Sequence, residues 1–179
     1  MKIELEDVRY PTGHYQKPNE FTSAVIEDYI SVIHTFPKRV AEAVEGLSEE
    51  QLDTPYRPDG WTIRQVVHHC SDSHMNAFIR HKLALTEDNP VIRPYYEDRW
   101  AELPDSKMPV APSLLLLQGL HARWTLLLKS LTPPELERTF VHPEHNKAFT
   151  LAESIGMYAW HCNHHLAHIS NLTQTKGWK

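Results

Sequence analysis

Between Thr150 and Gly177 the chain reads TLAESIGMYAWHCNHHLAHISNLTQTKG, without a proline. Thr150 and Glu153 have the spacing of a capping box, in which two side chains satisfy backbone N–H groups at a helix start. Gly177 is a stop signal, because glycine takes the left-handed conformation that ends a helix at little steric cost. At about 100° per residue, Leu151, Ile155, Tyr158, Cys162, Leu166 and Ile169 share one arc. A helix of this length with one apolar stripe needs partner elements to bury it.

Those partners are legible. A first long helix is predicted from about Thr22 to Leu47, with a kink or break near Phe36 because Pro37 lies inside it. Ser48 with Gln51 marks a short capped turn. Thr62 with Gln65 is a second capping box, following the turn Pro58-Asp59-Gly60, and starts a helix that runs to about Thr86. A third long helix spans roughly Ser113–Leu131, and Thr132-Pro133-Pro134-Glu135 opens a short one. Residues 139–149 read as an extended loop or a hairpin. Residues 87–112 carry Pro90, Pro94, Pro104, Pro109 and Pro112, a long connection of the kind that forms lids or wraps another element. Residues 1–20 read as an extended arm that packs on the domain. Four long helices without convincing alternating strands predict an all-α four-helix bundle, one domain over residues 1–179. The long connection points away from simple up-down-up-down order.

Composition narrows the functions. The formal net charge is −5 and no Lys/Arg run stands out, which argues against a nucleic-acid partner. The longest apolar run, Leu114–Leu117, is too short to cross a membrane. The charged N-terminus has no apolar signal core, so a cytoplasmic protein is expected. Cys70 and Cys162 fall inside predicted helices and read as small buried residues.

The excess is in histidine. Of 13, four fall within residues 68–81 and four within 161–168. With His161 as origin, His165 lies at about 40° and His168 at about −20°, beside the apolar arc, while His164 lies further out at about −60°. His161 and His165 form an i,i+4 pair whose imidazoles can converge on one ion. On the second helix His69 borders the apolar arc, with Ser73, Asn76 and Arg80 on its side. His68 falls roughly opposite the core, and His74 points away from His69 at about 140°. One histidine from the second helix and two from the last make a plausible three-nitrogen site for zinc or nickel. Three protein ligands leave a position for water or substrate. The wheel leaves open whether this site or ordinary core packing explains the pattern. No H-E-x-x-H or G-x-S-x-G occurs, so zincin and serine-hydrolase readings have no support.

The ordered set TPYRPDGWTIRQVVHHCSDSHMN, IRPYYEDRWAEL, LHARW and YAWHCNHHLAHI resembles the DinB/YfiT-like family, in particular its YfiT branch of metal-dependent hydrolases. The likeness runs from the RYPTGHYQKP arm to the terminal KGW. It implies an unusual four-helix bundle that binds one divalent metal ion through three histidines. By motif position these are His69, His161 and His165. Cys70 stands where an aliphatic residue, usually Leu, is expected. The resemblance also implies a homodimer, and the aromatic residues Tyr95, Tyr96 and Trp100 of the 87–112 segment are of the kind interfaces favour.

Three functions follow as expectations. In metal-assisted hydrolysis the ion activates water, and His168, Asp72 or a residue of the 87–112 loop serves as general base. In thiol transfer, as in some relatives of the wider family, the ion activates a low-molecular-weight thiol, with Asn76, Arg80 and Arg123 holding the acidic cofactor. The third is metal binding without catalysis. His121 and Arg123 either line the pocket from the third helix or pack beside it, and His142 and His145 are expected to be solvated.

Overall fold

A computed structural model describes residues 5–179; the first four residues of the predicted arm lie outside that range. The predicted extended arm is helical over its first described turn, α1 (Leu5–Arg9), which leads into a turn at Gly13 (φ +71°) and an extended stretch. The four long helices are α2 (Ser23–Val44), α4 (Ile63–Thr86), α6 (Ala111–Lys129) and α8 (Leu151–Thr175). Single-turn helices α3 (Glu49–Leu52), α5 (Glu97–Trp100) and α7 (Pro133–Leu136), with a 3₁₀ turn at Pro104–Lys107, punctuate the connections. Residues 139–150 form a hairpin, β1 (Thr139–His142) antiparallel to β2 (Lys147–Thr150), with Phe140 opposite Phe149.

The starts follow the predicted chemistry. Thr62, Thr150, Ser48 and Thr132 each close a capping box with the residue three further on. At α8 the Glu153 N–H donates to Thr150 Oγ1 at 3.1 Å and the Thr150 N–H donates to Glu153 Oε2 at 3.1 Å. At the far end Gly177 takes φ +66°.

Packing gives the topology. α2 packs mainly on α6 and α8, and α4 packs mainly on the same two helices. The successive helices α2 and α4 therefore occupy opposite corners, which up-down-up-down order forbids. α2 buries Ile26, Ile30, Ile33, Phe36, Val40 and Val44, an i, i+3/i+4 stripe. Facing it are Leu117, Leu120, Trp124 and Leu128 of α6 and Ile155, Ala159, Cys162 and Ile169 of α8. Both cysteines are free and buried. A smaller cluster of Ala84, Ile92, Phe140 and Leu151 seats the hairpin against α4 and α8. Among the described residues no helix is long and apolar enough to cross a membrane.

Pro37, where the sequence predicts a kink or break, lies inside an unbroken α2 that continues seven residues beyond it. His68 and His164 lie off the bundle's core, as the wheels place them, yet both are buried. The 87–112 segment and the first turn of α6 cover His68, whose ring nitrogens lie 2.7 Å from Ser113 Oγ and 3.0 Å from the Met108 carbonyl. The N-terminal segment covers His164, bringing Tyr10 to 5.7 Å between ring centroids, while Trp160 stacks on it at 4.5 Å.

That segment is anchored along α8. Trp160 Nε1–H donates to the Gly13 carbonyl at 2.9 Å, and Lys17 pairs with Glu153 at 2.5 Å. Gly156 permits the close approach: a Cβ there would stand 2.6 Å from the Tyr15 hydroxyl and 2.9 Å from the Tyr29 ring. Gly156→Ala is therefore expected to destabilise the protein despite the better helix propensity of alanine. Propensity contributes about 1 kcal/mol and overpacking costs about 1–3 kcal/mol. Thermal denaturation should show a melting temperature lower by roughly 2–4 °C; an unchanged or higher value would contradict the tight contact.

Candidate metal centre

α4 and α8 pack side by side, and each turns a histidine edge toward the same cavity. His69 from α4 and His161 and His165 from α8 bring one ring nitrogen each to within 4.8 Å of one another. The Nε2 atoms of His69 and His161 are 3.2 Å apart. Two nitrogens about 2.0–2.1 Å from one tetrahedral ion would stand roughly 3.3–3.4 Å apart. The residues present thus fit a divalent ion by spacing and by donor type.

Burial sets their protonation. His69 is pushed down to about 3, chiefly by desolvation, and the same cause holds His161 and His165 well below the ordinary imidazole range. Neutral imidazole is the ligating form. The Ser73 hydroxyl lies 3.5 Å from His161 Nε2.

The cluster opens into a cavity of about 580 Å³. Trp61 packs against His69 with ring centroids 4.6 Å apart, and Tyr56 stacks on His168 at 3.9 Å and 18°. Both aromatics come from the turn before α4, where Asp59 takes φ +54° and the Tyr56 N–H donates to the Trp61 carbonyl at 3.1 Å. Tyr95 of the 87–112 segment and Tyr158 of α8 complete the apolar wall.

The other predicted residues divide. Ser73, Arg80 and His168 line the cavity. Arg80 Nε is buried without a hydrogen-bond partner among the described residues. One nitrogen of His168, Nε2, lies 3.1 Å from the Arg9 carbonyl, and burial pushes its pKa down to about 4. Asp72, Asn76 and Arg123 are not in the cavity wall. Asn76 Nδ2 donates to the Asp72 carbonyl one turn back at 2.9 Å. Asp72 is half-buried, and desolvation with nearby Asp105 pushes its carboxyl up to about 6. The Arg123 guanidinium sits over the Phe78 ring at 5.4 Å. His142, expected to be solvated, is half-buried and lines the cavity with Glu144 and His145 from the hairpin turn.

A second triad, His164, His165 and His168, also brings ring nitrogens within 4.8 Å. It shares His165 with the first and arises from one helix.

Behind His161 stands a feature the helical wheel misread. His74 is fully buried, and its Nε2 lies 3.0 Å from His161 Nδ1. Its Nδ1 lies 2.8 Å from Nε2 of His121, itself buried on α6. His121 Nδ1–H donates to the Ile33 carbonyl at 2.6 Å. The angle of about 140° turns His74 away from His69, yet in the core it meets the far side of His161.

A four-helix bundle with diagonal α2 and α4, carrying a histidine cluster at the floor of an open cavity, defines the class: a helical protein with a candidate metal centre. The DinB superfamily model matches residues 33–169, and the chain belongs to that superfamily. It is 52% identical over 174 residues to a Bacillus mycoides protein named "Putative metal-dependent hydrolase", covering 97% of this chain and 100% of that one. A Bacillus cereus protein of the same name matches at the same identity and coverage. The solved structure of YfiT from Bacillus subtilis, described as "a probable metal-dependent hydrolase with an unusual four-helix bundle topology", superposes with a TM-score of 0.94. It is 47% identical, over 97% of this chain and 99% of that one.

Proposed function

We propose that this protein is a hydrolase of a small-molecule substrate that uses one divalent ion per chain, zinc or nickel, held by His69, His161 and His165. The observation that carries the reading is the convergence of their ring nitrogens, from two helices, at the floor of an open cavity. When bound, such an ion lowers the pKa of water and polarises a carbonyl or ester oxygen. The chain's own groups do the rest. Trp61, Tyr56 and Tyr158 exclude water from one side and bind the apolar part of a substrate. Arg80, a cationic residue in the cavity wall, takes an anionic or carbonyl oxygen. His168, stacked on Tyr56 and held at the Arg9 carbonyl, lies with its ring centroid 5.3 Å from that of His165 and serves proton transfer.

The cationic Arg80 in the cavity wall also favours a second reading, in which an acidic low-molecular-weight thiol is activated in place of water and transferred to an electrophile. Elemental analysis of tag-free protein should find about one divalent ion per chain; no ion, and no uptake on titration, would remove both readings. Metal-replete protein should then be screened with esters, amides, and alkyl or epoxide electrophiles, each with and without thiol. Thiol-independent cleavage supports the hydrolase, and turnover only with thiol supports the transferase. No turnover in either arm supports binding without catalysis.

A cytoplasmic homodimer belongs to the same proposal. Tyr96 is 59% exposed and free for a partner copy, whereas Tyr95 and Trp100 pack on each other at 4.5 Å. Light scattering that reports a monomer at micromolar concentration would remove the dimer alone.

A further inference from the structure

We infer that Pro37, His121 and His74 together fix the tautomer of His161, so that its Nε2 always presents a lone pair to the metal position. The two histidines are then positioning residues for a metal ligand. This rests on the proposed ligand role of His161.

The argument starts from a missing hydrogen. In an α-helix each N–H bonds the carbonyl four residues back, and proline has no N–H. Pro37 lies inside α2, so the Ile33 carbonyl has no partner at that position. It is also buried, where an unmatched carbonyl is costly. His121 Nδ1 reaches it at 2.6 Å from α6.

A carbonyl can only accept, so His121 Nδ1 carries the hydrogen. A neutral imidazole has one N–H, so His121 Nε2 is an acceptor. It lies 2.8 Å from His74 Nδ1, which must therefore donate. His74 Nε2 is then an acceptor in its turn, and the group facing it at 3.0 Å is His161 Nδ1. His161 must donate there, and its only remaining nitrogen, Nε2, is bare. That nitrogen is the one 3.2 Å from His69 Nε2, facing the cavity. One carbonyl thus sets the orientation of three rings.

The surroundings keep the chain neutral. The rings of His74 and His121 are enclosed by Phe36 and Trp124, with Tyr158 against His74. Besides the bonds above, His74 Nε2 has the Cys162 sulfur at 4.0 Å. None of these hydrogen-bond partners is a carboxylate, so a charge on either ring would be buried unpaired. Free histidine favours the Nε2–H form, so three successive Nδ1–H rings are an imposed arrangement. A ligating imidazole whose second nitrogen donates is held in place and made more basic.

The decisive test needs no substrate. Long-range proton–nitrogen correlation spectra of metal-free wild-type protein, with rings assigned by single histidine substitutions, report which nitrogen of each imidazole carries hydrogen. We expect Nδ1–H and bare Nε2 at His161, His74 and His121. An Nε2–H tautomer at any of the three would overturn the inference. Titrating zinc against a chromophoric chelator, His74→Leu should bind about 10–100-fold more weakly than wild type. Unchanged affinity in a variant with wild-type helical content would equally overturn it. If His74→Leu does not fold, the wild-type spectrum decides alone. Wild-type protein that shows the three Nδ1–H rings but takes up no zinc would leave the tautomer chain standing and remove the ligand assignment.

Discussion

Alanine at His69, His161 or His165 is expected to weaken divalent-metal binding by roughly 10²–10³-fold at each position. Structural zinc sites bind with about 10–16 kcal/mol at neutral pH, which shared among four ligands is about 2.5–4 kcal/mol each. The three nitrogens converge from two helices. His68→Ala should leave affinity nearly unchanged, because its ring serves Ser113 and Met108 on the opposite side of α4. Its cost falls on stability, since the Met108 carbonyl and Ser113 hydroxyl lose a buried partner. His164→Ala discriminates between the two triads that share His165. If His164→Ala and His168→Ala abolish binding while His69→Ala does not, the ion sits on α8 alone and the proposed centre is wrong. Competition against a chelator of known affinity, on tag-free protein, measures all six variants on one scale.

The bundle was legible because local chemistry and global fold agree. Four capping boxes mark the starts of α3, α4, α7 and α8, and α2 and α8 each carry one apolar stripe. The phases of His69, His161 and His165 follow from the same wheels. What the wheels missed depends on chain outside a single helix. His68 and His164 lie off the core stripe yet are buried, because a proline-rich connection and an N-terminal segment lie across those faces. Asn76 shares the angle of His69 but turns to its own backbone, as a short amide side chain on a helix can. Arg123 lays its guanidinium on Phe78, an ordinary use of an arginine on an aromatic face. His74 and His121 needed two facts at once: that a residue inside an apolar arc can be polar if it is fully bonded, and that Pro37 leaves an acceptor on α2. The cavity residues of the hairpin turn carried no local signal, since their place depends on how Phe140 and Leu151 seat the hairpin.

Acid should destabilise this protein at pH values above those at which ordinary carboxylates titrate. His81 is fully buried in a complete hydrogen-bond set: Trp124 Nε1–H donates to its Nδ1 at 3.0 Å, and its Nε2–H donates to Ser154 Oγ at 2.8 Å. Desolvation pushes it from 6.5 down to about 3, and His121 down to about 4. Above pH 6.5 both rings are neutral folded and unfolded, and they contribute no pH dependence. As pH falls below 6.5 the unfolded chain takes up protons that the folded one refuses, so stability declines until the folded pKa is reached. Each fully buried ring can therefore remove up to about 1.4 kcal/mol per pH unit over that window. Two such rings remove several kcal/mol by pH 4.5, offset in part by Asp72, whose raised carboxyl pKa lets the folded chain take up a proton below about pH 6, against a typical total of about 5–15 kcal/mol. Urea denaturation of chelator-treated protein between pH 7.5 and 4.5 (chosen to span that window) should show this decline. His81→Gln, which can keep one donor and one acceptor, should flatten the slope by about one proton. A stability that stays level down to pH 4.5 would mean that these imidazoles are charged in the folded core, where the structure offers them no counter-charge.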